Sequence, residues 1–471
     1  MSNWVLERFA LMARQLYRQR QSWQDEVWLS LDALSGLERR LQVYLHALTR
    51  ARDNQPADIS ADEGQGGIEG LPDRDDALFV DLACRMRGTD PNARREAAGL
   101  ACACLKEAAH SENDKVRASQ RAIAAVFSLF PCEASKQALE ELYGDAPETR
   151  AAIFDIWTEQ GADVAVGLIN QAELQGQSLD LQRAAISYAA SRPEMGLDMF
   201  RFYYRSLGHA QGGTAARTPA SALIPALRGG LVRGDEQAPV ALRRAIELEE
   251  DRASLIELLR LLALHGDASL YPVLRQFASA EPEQGLALIA LSGHFAAVSD
   301  LLEALHQPRT NAAAASAWFR LTGQRLAQRP RLSVVGEAES ARTAGEDTLV
   351  ETASEAGDGA DVIFDAEQAE TWWAENQAQW REYPRWMLGR PLEPSTLLAL
   401  AREWGGAFGR DVMDLLAMQQ RRPLAVGSYA LVSTRLSVLE GGQAEAFDTA
   451  KAPDKAVRST STTGRGAGAS A

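Results

Sequence analysis

Four cysteines, six histidines, one group of aspartates and a dense run of tryptophans are the residues whose types could do chemistry. Cys84, Cys102, Cys104 and Cys132 all fall in one Ala-rich stretch. A tetrahedral zinc site wants Cys-x2-4-Cys pairs, usually with a second pair or histidines. Cys102-x-Cys104 on a helix would set its sulfurs about 200° apart, so small core thiols in a reducing compartment are expected. His46, His110, His209, His265, His294 and His306 form no His-x3-His or His-Glu-x2-His chelate. His265 and His294 stand near expected helix ends, where an imidazole can bond free carbonyls. Asp73, Asp75 and Asp76 have the composition of a divalent-ion or acid–base cluster. Their place at a helix start favours a capping role. The glycines at 64–70 miss a dinucleotide fingerprint, because Glu69 takes the final glycine's place, and neither a nucleophile elbow nor a Walker loop occurs. No catalytic, cofactor-binding or metal residue is assigned from this inventory, and the chain is expected not to be an enzyme.

Trp372, Trp373, Trp380, Trp386 and Trp404 lie close together out of ten tryptophans in all. Trp373 and Trp380 share a helix face at i, i+7. The bland reading is a local core or a face docked on other helices. The sharper one is a binding hot spot, since Trp and Arg are enriched in such anchors. Trp372, Trp373, Trp380, Arg385 and Trp386 are therefore the candidate partner-binding residues, with Arg381 beside them.

These residues need helices to hold them. The chain has 471 residues, a formal charge of −15, 46% hydrophobic and 24% charged residues. That is ordinary for a globular protein and argues against a nucleic-acid or anionic-membrane surface, both of which need excess Lys and Arg. No uncharged apolar run is long enough for a membrane span, and the N-terminal residues lack the apolar core of a secretory signal. A cytoplasmic location is expected. Val5, Phe9, Met12 and Leu16 mark one helical face, and Leu34, Leu37, Leu41, Leu45 and Leu48 a second. The expected organisation is an N-terminal helical segment (1–50), an acidic Gly-rich linker (51–75), helical repeats (76–326), an acidic linker (327–365), a Trp-rich helical module (366–440) and a disordered tail (441–471). Gly208 to Gly234, richer in glycine, is expected as a longer loop or a capping discontinuity. The second linker and its margin carry eleven acids against Arg331 and Arg342.

A weak repeat runs through the Ala- and Leu-rich middle. Asp90-Pro91, Asp114-Lys115-Val116-Arg117, Asp145-Ala146-Pro147 and Asp180-Leu181-Gln182-Arg183 each precede small apolar residues, and Arg117, Arg150 and Arg183 are spaced by 33. The acid or proline before each helix reads as a cap. Gly266 and Gly293 read as turns that close a helix. A period in the range of about 30–45 residues with two helices each is the signature of an α-solenoid. The pattern is similar to HEAT repeats, although only Val116-Arg117 reproduces their Val-Arg pair.

Three stretches extend the likeness: Leu31 to Leu48, Ala317-Trp318-Phe319-Arg320-Leu321-Thr322-Gly323, and Trp372-Trp373 followed by Arg385-Trp386-Met387-Leu388-Gly389-Arg390-Pro391. In this order the chain resembles, over residues 1–440, an uncharacterised bacterial family of HEAT-like helical-repeat proteins associated with type VI secretion gene clusters. Glu38 stands where that family usually has Asp, and Ala407-Phe408-Gly409-Arg410 departs from its Gln-Arg-rich helix. The resemblance implies an all-α, HEAT-like α-solenoid acting as a non-enzymatic protein-interaction scaffold or adaptor. Its partner would be a secretion component, an effector or a toxin. The alternatives are an immunity protein that blocks a toxin, and a HEAT-like enzyme of bilin-lyase type.

Overall fold

The computed structural model describes residues 3–53, 75–109, 114–162, 174, 177–208, 218–330, 362–427 and 430–450. Among them the chain forms twenty α-helices, two short 3-10 turns and six strands of two or three residues. It is an all-α protein. Most of both expected linkers, His110, His209, Asp73, residues 209–217 and the tail beyond Ala450 lie outside the described residues. Ala220–Val232, inside the stretch expected as a loop or capping discontinuity, is helix because its apolar residues pack in the interior. The structure divides into two compact units, Met1–Ala165 with Ala401–Arg410 and Leu424–Ala471, and Val166–Leu400 with Asp411–Pro423. The 366–440 stretch, expected as one module, is thus shared between them.

In the first unit, helices Asn3–Asp25 and Leu31–Asp53 pair with each other. Leu34, Leu37, Leu41 and Leu45 are buried as their spacing predicts. The first helix differs from expectation. Val5, Phe9, Met12 and Leu16 are only part-buried, and the deepest face carries Ala13, Tyr17, Arg20 and Gln24. Polar groups sit there because they have partners: Arg20 Nε donates to Glu38 at 2.9 Å, and the Tyr17 ring stacks on Phe79. The other Glu38 oxygen accepts from the Val432 backbone N–H at 3.0 Å, at the start of helix Val432–Ala450. That helix runs past Glu440 into what was expected to be tail. Leu29–Ser30 pairs antiparallel with Trp404–Gly405, and Ala407 N–H donates to the Glu26 carbonyl. Helices Asp75–Arg87, Pro91–Ala109, Asp114–Leu129, Glu133–Asp145 and Arg150–Gln160 then pack in an alternating order, in which each of the first three packs against the next but one.

In the second unit this alternation is regular. Helices Leu179–Ser191, Ala220–Val232, Arg252–His265, Pro282–Ser292 and Asn311–Thr322 form one row, each packed on the next member. Helices Leu197–Gly208, Gln237–Leu248, Tyr271–Ala280 and Ala297–Leu305 lie between them in sequence. The starts of the row helices fall roughly one repeat period apart. Leu258, Leu259, Leu262, Leu286 and Leu321 fill the interior. The helices end where glycine permits left-handed backbone: Gly266, Gly293 and Gly323 all have φ near +70°.

The caps differ in detail from the reading by sequence. Asp90 accepts from Asn92 N–H at 2.9 Å. Asp180, however, lies inside the first turn, and Ser178 is the cap that accepts from Leu181 N–H. Asp145 closes one helix, leaving Pro147 to open the next turn. The ends of the second linker are also ordered: Gln328–Pro330 pairs antiparallel with Val362–Phe364. Asn311 holds that pair by accepting from Phe364 N–H at 2.7 Å and donating to its carbonyl at 3.0 Å.

Candidate functional site

Trp318, Trp372, Trp373, Trp380 and Trp386 form a connected aromatic column in the second unit, whereas Trp404 belongs to the first, where it meets Trp28 edge to face at 5.6 Å. Helix Ala366–Trp380 is capped by Asp365, which accepts from Gln368 N–H. It brings Trp373 to 5.5 Å from Trp380, as the i, i+7 spacing requires. Trp372 meets Trp318 edge to face at 5.6 Å, and Trp373 lies 5.2 Å from Phe295. Trp380 stacks on Trp386 with centroids 4.6 Å apart. The Trp386 indole N–H donates to the carbonyls of Trp380 and Tyr383 at 3.1 and 3.2 Å. Trp380 and Trp386 are buried, at 2% and 1% exposure, and serve as core for helix 366–380. Among the five candidates, Trp372 and Trp373 are the tryptophans left part-exposed.

Arg385 is spent inside the fold as well. Its Nε donates to the Ser292 carbonyl at 2.7 Å, Nη1 to Leu264 at 3.1 Å, and Nη2 to Ala263 at 3.0 Å. These carbonyls end helices Arg252–His265 and Pro282–Ser292, where the helix dipoles are negative. Burial pushes the guanidinium down to about 10, still charged near neutrality. The residues that follow continue the same task. Trp386 N–H donates to Gly293 at 2.8 Å, Leu388 N–H to Arg320 at 2.9 Å, and Gly389 N–H to Leu321 at 2.9 Å. Leu388 and Gly389 have φ of 50° and 68°, the two-residue turn that joins Trp386–Met387 to Arg390–Pro391. Residues 385–389 thus cap three successive members of the row.

His265 and His294 flank this arginine. Burial, then the Arg385 charge, holds the His294 imidazole below the ordinary histidine range. His265 is lowered by burial too, with Asp267 pulling the other way. At His294 the nearby Gly266 backbone works against burial and the Arg385 charge and favours the charged ring. His306 instead meets Glu370 at 2.7 Å on the surface.

A second charged cluster escaped the sequence reading. Helix Gly406–Gln420 carries Asp411 and Asp414 one turn apart, both nearly buried. Asp414 accepts from Arg228 at 2.6 Å and from Arg260 at 2.8 Å. Asp411 accepts from Arg260 at 2.7 Å and pairs with Arg320 at 3.2 Å. The three arginines stand on three members of the row, so this segment of helix is bonded across its face. Burial alone would raise the Asp414 carboxyl, but Arg228 and Arg260 together hold it below the usual carboxylate range. The signal available beforehand was an Asp-x-x-Asp pair, Asp411 and Asp414, interleaved with the apolar Val412, Met413, Leu415, Leu416 and Ala417.

The other chemical candidates resolve into structure. Burial pushes the Cys84 and Cys102 thiols up to about 12 and Cys104 to about 11, which suppresses the reactive thiolate. Cys104 and Cys132 are only part-buried. Asp75 accepts from the Asp76 N–H at 2.8 Å in the first turn of its helix, and Asp76 pairs with Arg18. Among the described residues no group of three or more His, Cys, Asp or Glu is arranged to hold a metal, and no helix is long and apolar enough to cross a membrane. In the second unit a cavity of about 290 Å³ lies among helices Tyr271–Ala280, Pro282–Ser292 and Ala297–Leu305, with Leu286 and Ile289 as its floor and Arg275, Asp300, Glu303 and Gln307 at its rim. Comparisons with protein-family models, curated proteins and solved structures gave no match.

Proposed function

We propose that this chain is a non-enzymatic protein-interaction scaffold, an adaptor accessory to a type VI secretion system or its effector cargo. The observation that supports the reading is the division of labour within the aromatic column. Trp380, Trp386 and Arg385 fix helix Ala366–Trp380 and the row beneath it, while Trp372 and Trp373 keep part of their rings open to solvent. An aromatic pair on a firmly held helix loses little conformational freedom on binding, which suits a partner anchor. The secretion context rests on the sequence resemblance alone.

The test is affinity capture at native expression level, with mass spectrometry, from cells whose secretion system is active. The wild-type chain is expected to recover a secretion component or effector. The Trp372→Ala/Trp373→Ala double variant is expected to lose it while melting within a few degrees of wild type. Recovery of neither class by the wild type rejects the reading.

The charge of −15 favours a second reading, an immunity protein that caps a basic toxin. It predicts a one-to-one complex with a single cationic protein and rescue of growth from that protein's toxicity.

A further inference from the structure

The deepest face of helix Asn3–Asp25 is polar, against the ordinary rule for a packed helix. Opposite Tyr17, Arg20, Gln21 and Gln24, helix Asp114–Leu129 presents Ala124, Ala125 and Ser128, with Arg121 one turn earlier. Both faces advance at helical spacing, long polar side chains against short ones, and they do not close. A cavity of about 450 Å³ lies between them. That is the size of many small-molecule sites, about 300–1,000 Å³.

Its walls are rich in donors. Tyr17 is held by its stack on Phe79, with centroids 3.8 Å apart, and is 1% exposed. Its hydroxyl accepts from the Gln21 amide, so its own proton remains to be donated. Burial, chiefly, keeps that hydroxyl protonated far above the ordinary tyrosine range. Ser128 adds a second hydroxyl. Of the nearby charges, Arg20 pairs with Glu38 and Arg18 with Asp76, while Asp75 keeps its negative charge and adds to the effect of burial on the Tyr17 hydroxyl. Gln24 best satisfies its neighbours with its oxygen turned to Arg20. Arg121, exposed at the mouth, makes no ion pair among the described residues. Glu159, on the third wall, disfavours a second anionic group in any occupant.

We infer that this cavity binds a small monocarboxylate with an apolar body. The carboxylate accepts from the Tyr17 hydroxyl and the Arg121 guanidinium, and the hydrocarbon lies along Ala124, Ala125 and Leu129. A carboxylate suits this wall because it only accepts, and its bonds to a cation are the stronger kind.

Isothermal titration calorimetry on the full chain, with decanoate, decanol and decylamine as probes, tests the assignment. Decanoate is expected to bind at one site per chain, decanol more weakly and decylamine most weakly. Arg121→Gln and Tyr17→Phe should each raise the decanoate Kd about tenfold, the loss of one charge-assisted or buried bond. Ala125→Phe, which fills the cavity, should abolish binding with the helical circular dichroism unchanged. Arg121 is exposed, so its variant keeps its fold and carries the test alone if Ala125→Phe melts. Absent decanoate binding, equal affinity for the three probes, or an unchanged Kd in Arg121→Gln overturns the proposal.

Discussion

The Arg385 guanidinium fills the space that a side chain on residue 266 would need, so the arginine and Gly266 are fitted to each other across two distant parts of the sequence. Gly266 also needs its left-handed φ of 71°. The absence of a Cβ therefore serves two purposes there: it permits the turn, and it lets a cation reach the carbonyls of Ala263 and Leu264.

Arg385→Ala leaves those helix-end carbonyls without their donor and is expected to cost about 3 kcal/mol. Gly266→Ala is expected to cost about 2 kcal/mol from backbone strain plus displacement of the guanidinium. The two losses share one contact. A double-mutant cycle by urea unfolding should show Gly266→Ala costing at least 1 kcal/mol less once Arg385 is gone. Simple additivity would mean that the arginine does not depend on the glycine.

Asp414 should govern part of the acid limb of stability. Its folded carboxyl titrates below the ordinary value, because Arg228 and Arg260 outweigh the effect of burial. The unfolded chain therefore binds more protons in that window. The contribution is fully present above the unfolded carboxylate value of about 3.9 and is lost as pH falls through the lower folded value. Asp414→Asn should cost about 3 kcal/mol at pH 7, since it takes the carboxylate partner of Arg228 and one of the two aspartate partners of Arg260. Thermal melts between pH 7 and pH 3 should show a shallower decline for the variant than for the wild type.

Glu38 joins two segments that are remote in sequence, accepting from Arg20 and from the Val432 N–H. Glu38→Ala removes the counter-charge of a nearly buried arginine and should cost about 3 kcal/mol. Hydrogen exchange followed by mass spectrometry should show the earliest loss of protection at residues 430–440, with helix Asn311–Thr322 unchanged. Uniform loss over both would contradict a local role.

Trp380 and Trp373 should separate core from surface. Trp380→Ala empties a site at 2% exposure and is expected to cost about 4 kcal/mol. Trp373→Ala, on the part-exposed side, should cost about 1 kcal/mol. Chemical denaturation read by far-ultraviolet circular dichroism distinguishes them, and equal losses would show that both are core.

The helical character was legible because leucines recur at helical spacing and because glycines such as Gly266 and Gly293 punctuate the ends. The depth of each face was harder to read. An apolar stripe through Val5, Phe9, Met12 and Leu16 looked dominant, yet Tyr17 and Arg20 lie deeper because Phe79 and Glu38 complete them from elsewhere. Asp411 and Asp414 resembled ordinary polar positions, since their partners Arg228, Arg260 and Arg320 lie 91 to 186 residues earlier. The cluster of tryptophans stood out from composition. Which of them are interior depends on Trp318 and Phe295, and no local spacing encodes those contacts.

The first unit joins Met1–Ala165 to Ala401–Arg410 and Leu424–Ala471, so its later pieces leave the ribosome well after its first. The opening strand at Leu29–Ser30 waits for Trp404–Gly405 to emerge, while the row from Leu179 to Thr322 can assemble in the interval. A nascent chain stalled before residue 400 would leave Leu29 without its strand partner and Glu38 with Arg20 but without the Val432 N–H. Such a waiting hairpin is where a chaperone would be expected to grip.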